Sequence, residues 1–279
     1  MIALDAKPLL DLRGLVRRAR SGLSVTSLPG GLVTRPRGRG LETAELRAFE
    51  PGDDPRHLDR NATARTGQPQ IRLFHAERDR TTILIADFRP SMLWGTRRTL
   101  RSIAAAEALA LTGWDAVVTG GRVGLIAVTA ADTNLLAPQA RDQAMVRVIG
   151  GLVQAHAHAV SNPGAEDPDL SVALAMANRA APRGAEIVLA SALDSLGADF
   201  QDMAQALSAR TQFRVLQIVD AFEIEAPSGR YRFATRSRPE GAVGQPGTVA
   251  QTTTPLKEIG LEIGRYDVAR PPEQQTLHA

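Results

Sequence analysis

The sequence predicts an α/β fold: a mostly parallel central sheet sandwiched by helices, with an N-terminal extension and a C-terminal β-hairpin. Three observations carry this. Short runs such as Ile83-Leu84-Ile85-Ala86 are apolar at every position, as strands buried on both faces are. Between such runs lie Ala- and Leu-rich stretches with helical spacing, which implies βαβ units. The first run ends in Asp87 and opens into a polar loop, and parallel sheets present ligands outside the carboxyl ends of their strands.

Taken in order, residues 8–20 space Leu9, Leu12, Leu15 and Val16 between arginines, as in an amphipathic helix that Ser21-Gly22 ends. Residues 23–33 read as two extended pieces around Pro-Gly-Gly, and 35–40 (RPRGRG) as a basic link. Residues 42–65 are polar, turn at Pro-Gly-Asp-Asp-Pro, and hold too few aliphatics for a core element. They read as an ion-paired layer, either structural or a binding surface. Residues 71–74 read as a strand. After the strand ending at Asp87 come a helix (99–118), a buried strand (123–128), a helix (141–156), a Pro/Gly/Asp loop (161–169) and a short helix (170–181). A strand (186–190), a helix (198–209) and a strand (213–219) complete the alternation. Residues 222–224 and 231–233 read as an edge hairpin, 253–264 as a last helix or partly a strand, and the tail from Pro271 as disordered. The expected organisation is an N-terminal helix and arm (1–41), a polar segment packed on the domain (42–80), the α/β core (81–220), a hairpin and edge element (221–270) and a tail (271–279).

Composition narrows the function classes. The 279 residues, 43% hydrophobic, can bury a substantial core, and cysteine is absent, so there is no disulfide or thiolate chemistry. No run is long enough to span a membrane and no signal-peptide pattern opens the chain, so a cytoplasmic protein is expected. All but two of the 33 basic residues are arginine, and the net charge is only +3, so the high pI is discounted as a nucleic-acid signal. Seven arginines and no acid lie between Leu12 and Leu41: a solvated arm, or a patch for an anionic partner.

Enzyme signatures fail in turn. There is no Gly-x-Ser-x-Gly elbow, no Walker motif, and no Gly-x-Gly-x-x-Gly after a strand. His156 and His158, two apart, point away from each other on a helix, and His57 and His75 are isolated. No pair of acids is identifiable by spacing as acid and base.

Specific words occur in order: Glu45-Leu46-Arg47, then Pro51-Gly52-Asp53-Asp54-Pro55-Arg56-His57-Leu58-Asp59, then Ala62-Thr63-Ala64-Arg65, Ile71-Arg72-Leu73-Phe74, and Asp87 with Ser91-Met92. On these the chain resembles the bacterial domain-of-unknown-function 58 family over about residues 38–219. That resemblance implies a von Willebrand factor type A-like, Rossmann-like fold and a non-enzymatic adaptor or assembly factor. It also implies a protein partner, a MoxR-type AAA+ ATPase or its client, and no cofactor. Partner-binding candidates are Arg47, Asp53, Asp54, Arg56, Asp59, Arg65 and Arg89. Where the family usually carries Trp, this chain has Arg60.

Type A domains often hold Mg²⁺ through Asp-x-Ser-x-Ser, a Thr and a second Asp, since a hard cation wants about six oxygens. Here Asp87 and Ser91 stand, while Arg89, Pro168 and Ala192 occupy the other three positions. The implied site is degenerate, with no metal. The expectation is that the Arg89 guanidinium takes the cation's place beside Asp87; the alternative is that it points to solvent. The runner-up function is a divalent-metal-dependent adhesion-type domain with a non-standard ligand set, drawing on Asp194 or Asp169. A hydrolase, and a nucleic-acid binder working through the arginine arm, rank lower.

Overall fold

The computed structural model describes residues 3–21, 45–50, 58–73, 80–164, 166–224 and 256–275. The chain divides into a unit of residues 33–79 and a larger unit formed by the rest. Helix α1 (Ala6–Arg20) belongs to the larger unit. The Asp5 carboxylate caps it by accepting the Lys7 amide at 3.1 Å, and Arg17, Arg18 and Arg20 close its last turn, where cations suit the helix dipole.

In the smaller unit β1 (Glu45–Ala48) runs antiparallel to β2 (Gln70–Leu73), with α2 (Arg60–Thr66) between them in sequence. The sequence reading placed no core element within 42–65 and did not foresee β1 or α2 there. Local hydrogen bonds rather than aliphatic burial hold them. Asp59 caps α2 by accepting the Asn61 and Ala62 amides at 2.9 Å each, and Gly67 ends it at φ 69°. The Thr63 hydroxyl accepts the Gln70 amide at 2.9 Å, tying α2 to β2. The Pro-Gly-Asp-Asp-Pro turn and the arm of residues 22–44 lie outside the described residues.

The larger unit continues with β3 (Thr81–Asp87), α3 (Arg101–Val118), β4 (Arg122–Val128), β5 (Thr133–Ala140), α4 (Asp142–Ser161) and α5 (Ser171–Ala180). It ends with β6 (Glu186–Ser191), α6 (Phe200–Ser208), β7 (Gln212–Val219), α7 (Ala221–Ile224) and β8 (Glu262–Asp267). The sheet order is β5-β4-β3-β6-β7-β8, parallel throughout except β5. Every residue of β3 is buried, with Leu84 and Ala86 in the core under α1, α3 and α4, and Ile83 and Ile85 in the core under α5 and α6. This is the expected helix-flanked α/β sheet. From β3 the chain winds outward to β4 and β5; from β6 it winds the other way to β7 and β8. The carboxyl ends of β3 and β6 therefore meet at the point where the strand order reverses.

The N-terminal helix is integral to this core. Leu9, Leu12, Leu15 and Val16 are buried in it, the Trp114 indole donates to the Leu9 carbonyl at 2.9 Å, and Arg13 and Arg20 pair with Asp142 and Asp115.

Four elements differ from expectation. Strand β5 has no counterpart in the sequence reading; it is a largely exposed edge strand whose ladder shifts register opposite Gly124 and whose Pro138 cannot donate, so it lacks the buried-strand pattern. Residues 222–224 are a helical turn, not a hairpin strand. The Asp220 carboxylate takes the Phe222 amide at 2.9 Å, and the Glu223 carboxylate takes the Asp220 amide at 2.8 Å, a reciprocal capping box. Of the two readings of 253–264, the partly strand one holds at its end, and the strand runs further than expected: residues 262–267 form β8, paired to β7. Residues 271–275 are ordered rather than disordered: buried Gln275 donates to the Asp267 and Arg270 carbonyls and accepts the Asp267 amide. The expected strand at 231–233 and residues 276–279 lie outside the described residues.

Candidate functional site

Asp87 closes β3 at the sheet's switch point, and its side chain is wholly buried. Two residues on, Arg89 is in extended conformation just before a 3₁₀ turn, Pro90–Met92, and its side chain is wholly buried as well. The geometry folds the arginine back onto the aspartate. Nε donates to Asp87 Oδ1 and Nη2 to Oδ2, each at 2.9 Å, a bidentate pair. The remaining guanidinium protons go to main-chain carbonyls of two other loops: Nη1 to Pro168 at 2.7 Å and Ser195 at 2.8 Å, and Nη2 to Asp194 at 2.7 Å. All five N–H donors of the guanidinium thus have an acceptor. Asp87 also accepts the Ser191 hydroxyl at 2.6 Å and the Arg89 amide at 3.1 Å. Burial draws the Arg89 pKa down. The charge and hydrogen bonds of Asp87, with Asp167 and Asp194 behind, more than reverse that, and it sits above its ordinary value.

A second arginine lies over the first pair. Arg101, the first residue of α3, is buried and donates to the Asp194 carboxylate at 2.9 Å and the Ser91 carbonyl at 3.3 Å. It also pairs with Glu223, and its guanidinium stands 4.0 Å from the centre of the Trp94 ring, a cation–π contact. Burial raises the Asp194 pKa; Arg101 opposes this, Glu223 and Asp167 add to it, and the net direction is up. The Asp167 carboxylate accepts the Ser91 amide at 2.9 Å, while the buried Ser91 hydroxyl makes no hydrogen bond among the described residues.

The loop between β3 and α3 is pinned again further along. The Thr96 amide and hydroxyl both donate to the buried Asp220 carboxylate at the end of β7.

A family model described as a protein of unknown function, DUF58, matches residues 45–240, well over half of the chain. The chain belongs to the DUF58 family. Uncharacterized proteins of Mycobacterium tuberculosis and Mycobacterium bovis are 32% identical to it over 202 residues, 71% of this chain. The chain spans 60% of the length of those relatives. Among solved structures, it is similar to the conserved hypothetical protein BatB of Bacteroides thetaiotaomicron, at 15% identity and TM-score 0.42, over 69% of this chain and 91% of that one. It is also similar to an aerotolerance-related membrane protein of Bacteroides fragilis, at 18% identity and TM-score 0.47, over 70% and 95%.

In this DUF58 chain the residues at the sheet end do not suit a hard divalent cation. Such an ion needs oxygens at about 2.0–2.6 Å, and both Asp87 oxygens already face the Arg89 guanidinium. An ion on Asp87 would stand within a few ångströms of a fixed positive charge. Pro168 offers its carbonyl to Arg89, and Ala192 has only a buried methyl to offer. Among the described residues no three His, Asp or Glu side chains gather as a metal cluster.

The structure therefore brings Asp87, Arg89, Ser91 and Pro168 together, with Ala192 on the same loop as Asp194. Asp169 is exposed and lies against Gly197, where an added Cβ would meet its Cγ at 2.8 Å. The partner-binding candidates fare differently. Arg89 is corrected outright: its guanidinium is enclosed and not presented to a partner. Asp59 is buried and caps α2, Arg65 is exposed, and Arg47 lies on β1 opposite Ile71. Asp53, Asp54, Arg56, His57 and His75 lie outside the described residues. His156 is buried, with Nε2 3.1 Å from the Ser102 hydroxyl and its ring edge-on to Phe88, while His158 is exposed. Sequence reasoning missed Arg101, Asp167, Ser191 and Glu223. Of these only Ser191 carries a local signal, as the first polar residue after the β6 run.

Proposed function

We propose that this DUF58 chain is a protein-interaction module without catalysis of its own, a cytoplasmic adaptor or assembly factor working with a MoxR-type AAA+ ATPase. The observation that carries this reading is Arg89. The crevice in which a parallel sheet ordinarily binds a ligand is filled by the chain's own side chain, with every donor satisfied. Asp87, the acid best placed for chemistry there, is enclosed and fully engaged. The family resemblance supports the type A-like, MoxR-associated assignment, with the metal site given over to a side-chain cation. Among the described residues, the loop surface presented at that end of the sheet includes residues 166–169 and 194–199. The test is mutual pull-down with the neighbouring ATPase from the native host, with the ATPase rate measured alongside. Association and a changed rate support the reading; no association and an unchanged rate count against it.

One observation favours the metal-dependent adhesion reading instead: the Ser91 hydroxyl is buried without a hydrogen-bond partner where a type A domain would use it as a ligand. Arg89 on both Asp87 oxygens outweighs it. Metal analysis of the purified protein separates the two.

A further inference from the structure

The loop after β6 follows an unusual path. Leu193 has φ 66° and Ser195 φ 49°, with Gly197 at 89°. Among the described residues only one other non-glycine residue, Arg141, has positive φ. In this region Cβ crowds the following carbonyl, so a residue with a side chain stays there only where its surroundings compel it. Two such residues flank Asp194. Their effect is to turn the Asp194 and Ser195 carbonyls onto Arg89, at 2.7 and 2.8 Å. The Leu193 side chain packs in the core below and the Ser195 residue is exposed, and Arg89 donates only to main-chain oxygens of this loop. The loop is anchored at its start as well, where the Leu193 amide donates to the Ser191 hydroxyl at 2.9 Å.

We infer that residues 192–197 form a strained two-state latch for which the Arg89 guanidinium is the bolt. While the bolt is in place, loops from three parts of the chain are held as one: residues 88–92, Pro168 and residues 193–195. When it is withdrawn, Leu193 and Ser195 return to ordinary φ, and the two carbonyls leave the crevice. The Asp194 carboxylate moves with them away from Arg101. Asp194, half exposed and standing between the two left-handed residues, is the outward handle of the device. This inference stands on the loop's geometry and does not depend on the adaptor reading.

The test is a double-mutant cycle between Ser195→Gly and Arg89→Lys, read as thermal midpoint. Glycine accepts φ 49° without crowding, so Ser195→Gly raises the midpoint of the otherwise native chain by roughly 2–4 °C. Lysine keeps the charge but cannot make the five-donor fork, so in that background the loop relaxes and Ser195→Gly gives no gain. No gain in the native background, or an equal gain in both, overturns the inference. Should Arg89→Lys fail to fold, amide exchange decides between native and Ser195→Gly chains. Removing strain from the latched form must slow exchange of residues 193–197, and unchanged rates overturn the latch.

Discussion

Replacing Arg89 by methionine, a side chain of similar reach without charge, leaves Asp87 as a wholly buried carboxylate. It keeps only the Ser191 hydroxyl and the residue 89 amide as donors. Breaking a buried pair from one side costs about 3–5 kcal/mol, because the surviving charge is stranded. The three carbonyls released from Arg89 add less, since Ser195 is exposed and Pro168 partly so, and water reaches them. A total near 4–6 kcal/mol is expected, a large part of the roughly 5–15 kcal/mol by which domains are stable. Urea unfolding followed by far-ultraviolet circular dichroism measures it. The same cycle takes Asp87→Asn and the double variant. Removing both charges strands neither, so the double variant must be more stable than the summed single costs predict by about 2 kcal/mol or more. A loss below about 1 kcal/mol for Arg89→Met, or single costs that add within about 0.5 kcal/mol, would refute the reasoning.

Three further outcomes are expected. Burial lowers the His156 pKa, so the folded chain holds it neutral. Its contribution is complete above the unfolded value of about 6.5 and is lost as pH falls from there through the folded pKa. Stability should decline below about pH 6.5, and His156→Leu should flatten that decline; an identical slope in the variant would contradict the assignment. Leu9→Ala, in the wholly buried face of α1, should cost about 2–5 kcal/mol and shift one cooperative transition, whereas an early separate phase would show that α1 is only appended. Asp220→Ala releases Thr96 and uncaps α7, for a loss of about 2–3 kcal/mol in the same urea assay; a change under about 0.5 kcal/mol would show that neither contact holds the loop.

The fold was legible where burial was complete. Strands β3, β4 and β6 are apolar on both faces over most of their length and announce themselves as runs, and β7 does so despite Arg214 and Gln217. The edge strands were less legible: β5 is largely exposed and contains Pro138, and β8, read only as part of a helix or strand, is Glu-Ile-Gly-Arg-Tyr-Asp, with charge and glycine interrupting the pattern. Asp87 and Arg89 could be placed from the sequence because they follow a recognisable strand. Their acceptors could not, because three of the five are main-chain carbonyls, and residue identity carries no record of where a carbonyl points. The positive φ at Leu193 and Ser195 is likewise invisible, since neither residue favours that conformation. Arg101 was hidden for a different reason: as a charge opening an Ala-rich helix it looks solvated, and only the packing of Trp94, Asp194 and Glu223 around it shows otherwise.

We propose that the fixed guanidinium of Arg89 replaces a divalent ion beside Asp87, as the type A-like reading requires. Calorimetric titration of the purified chain with Mn²⁺ and Mg²⁺ tests it most directly. The account predicts no saturable heat into the millimolar range; saturable micromolar binding that disappears in Asp87→Ala would contradict it.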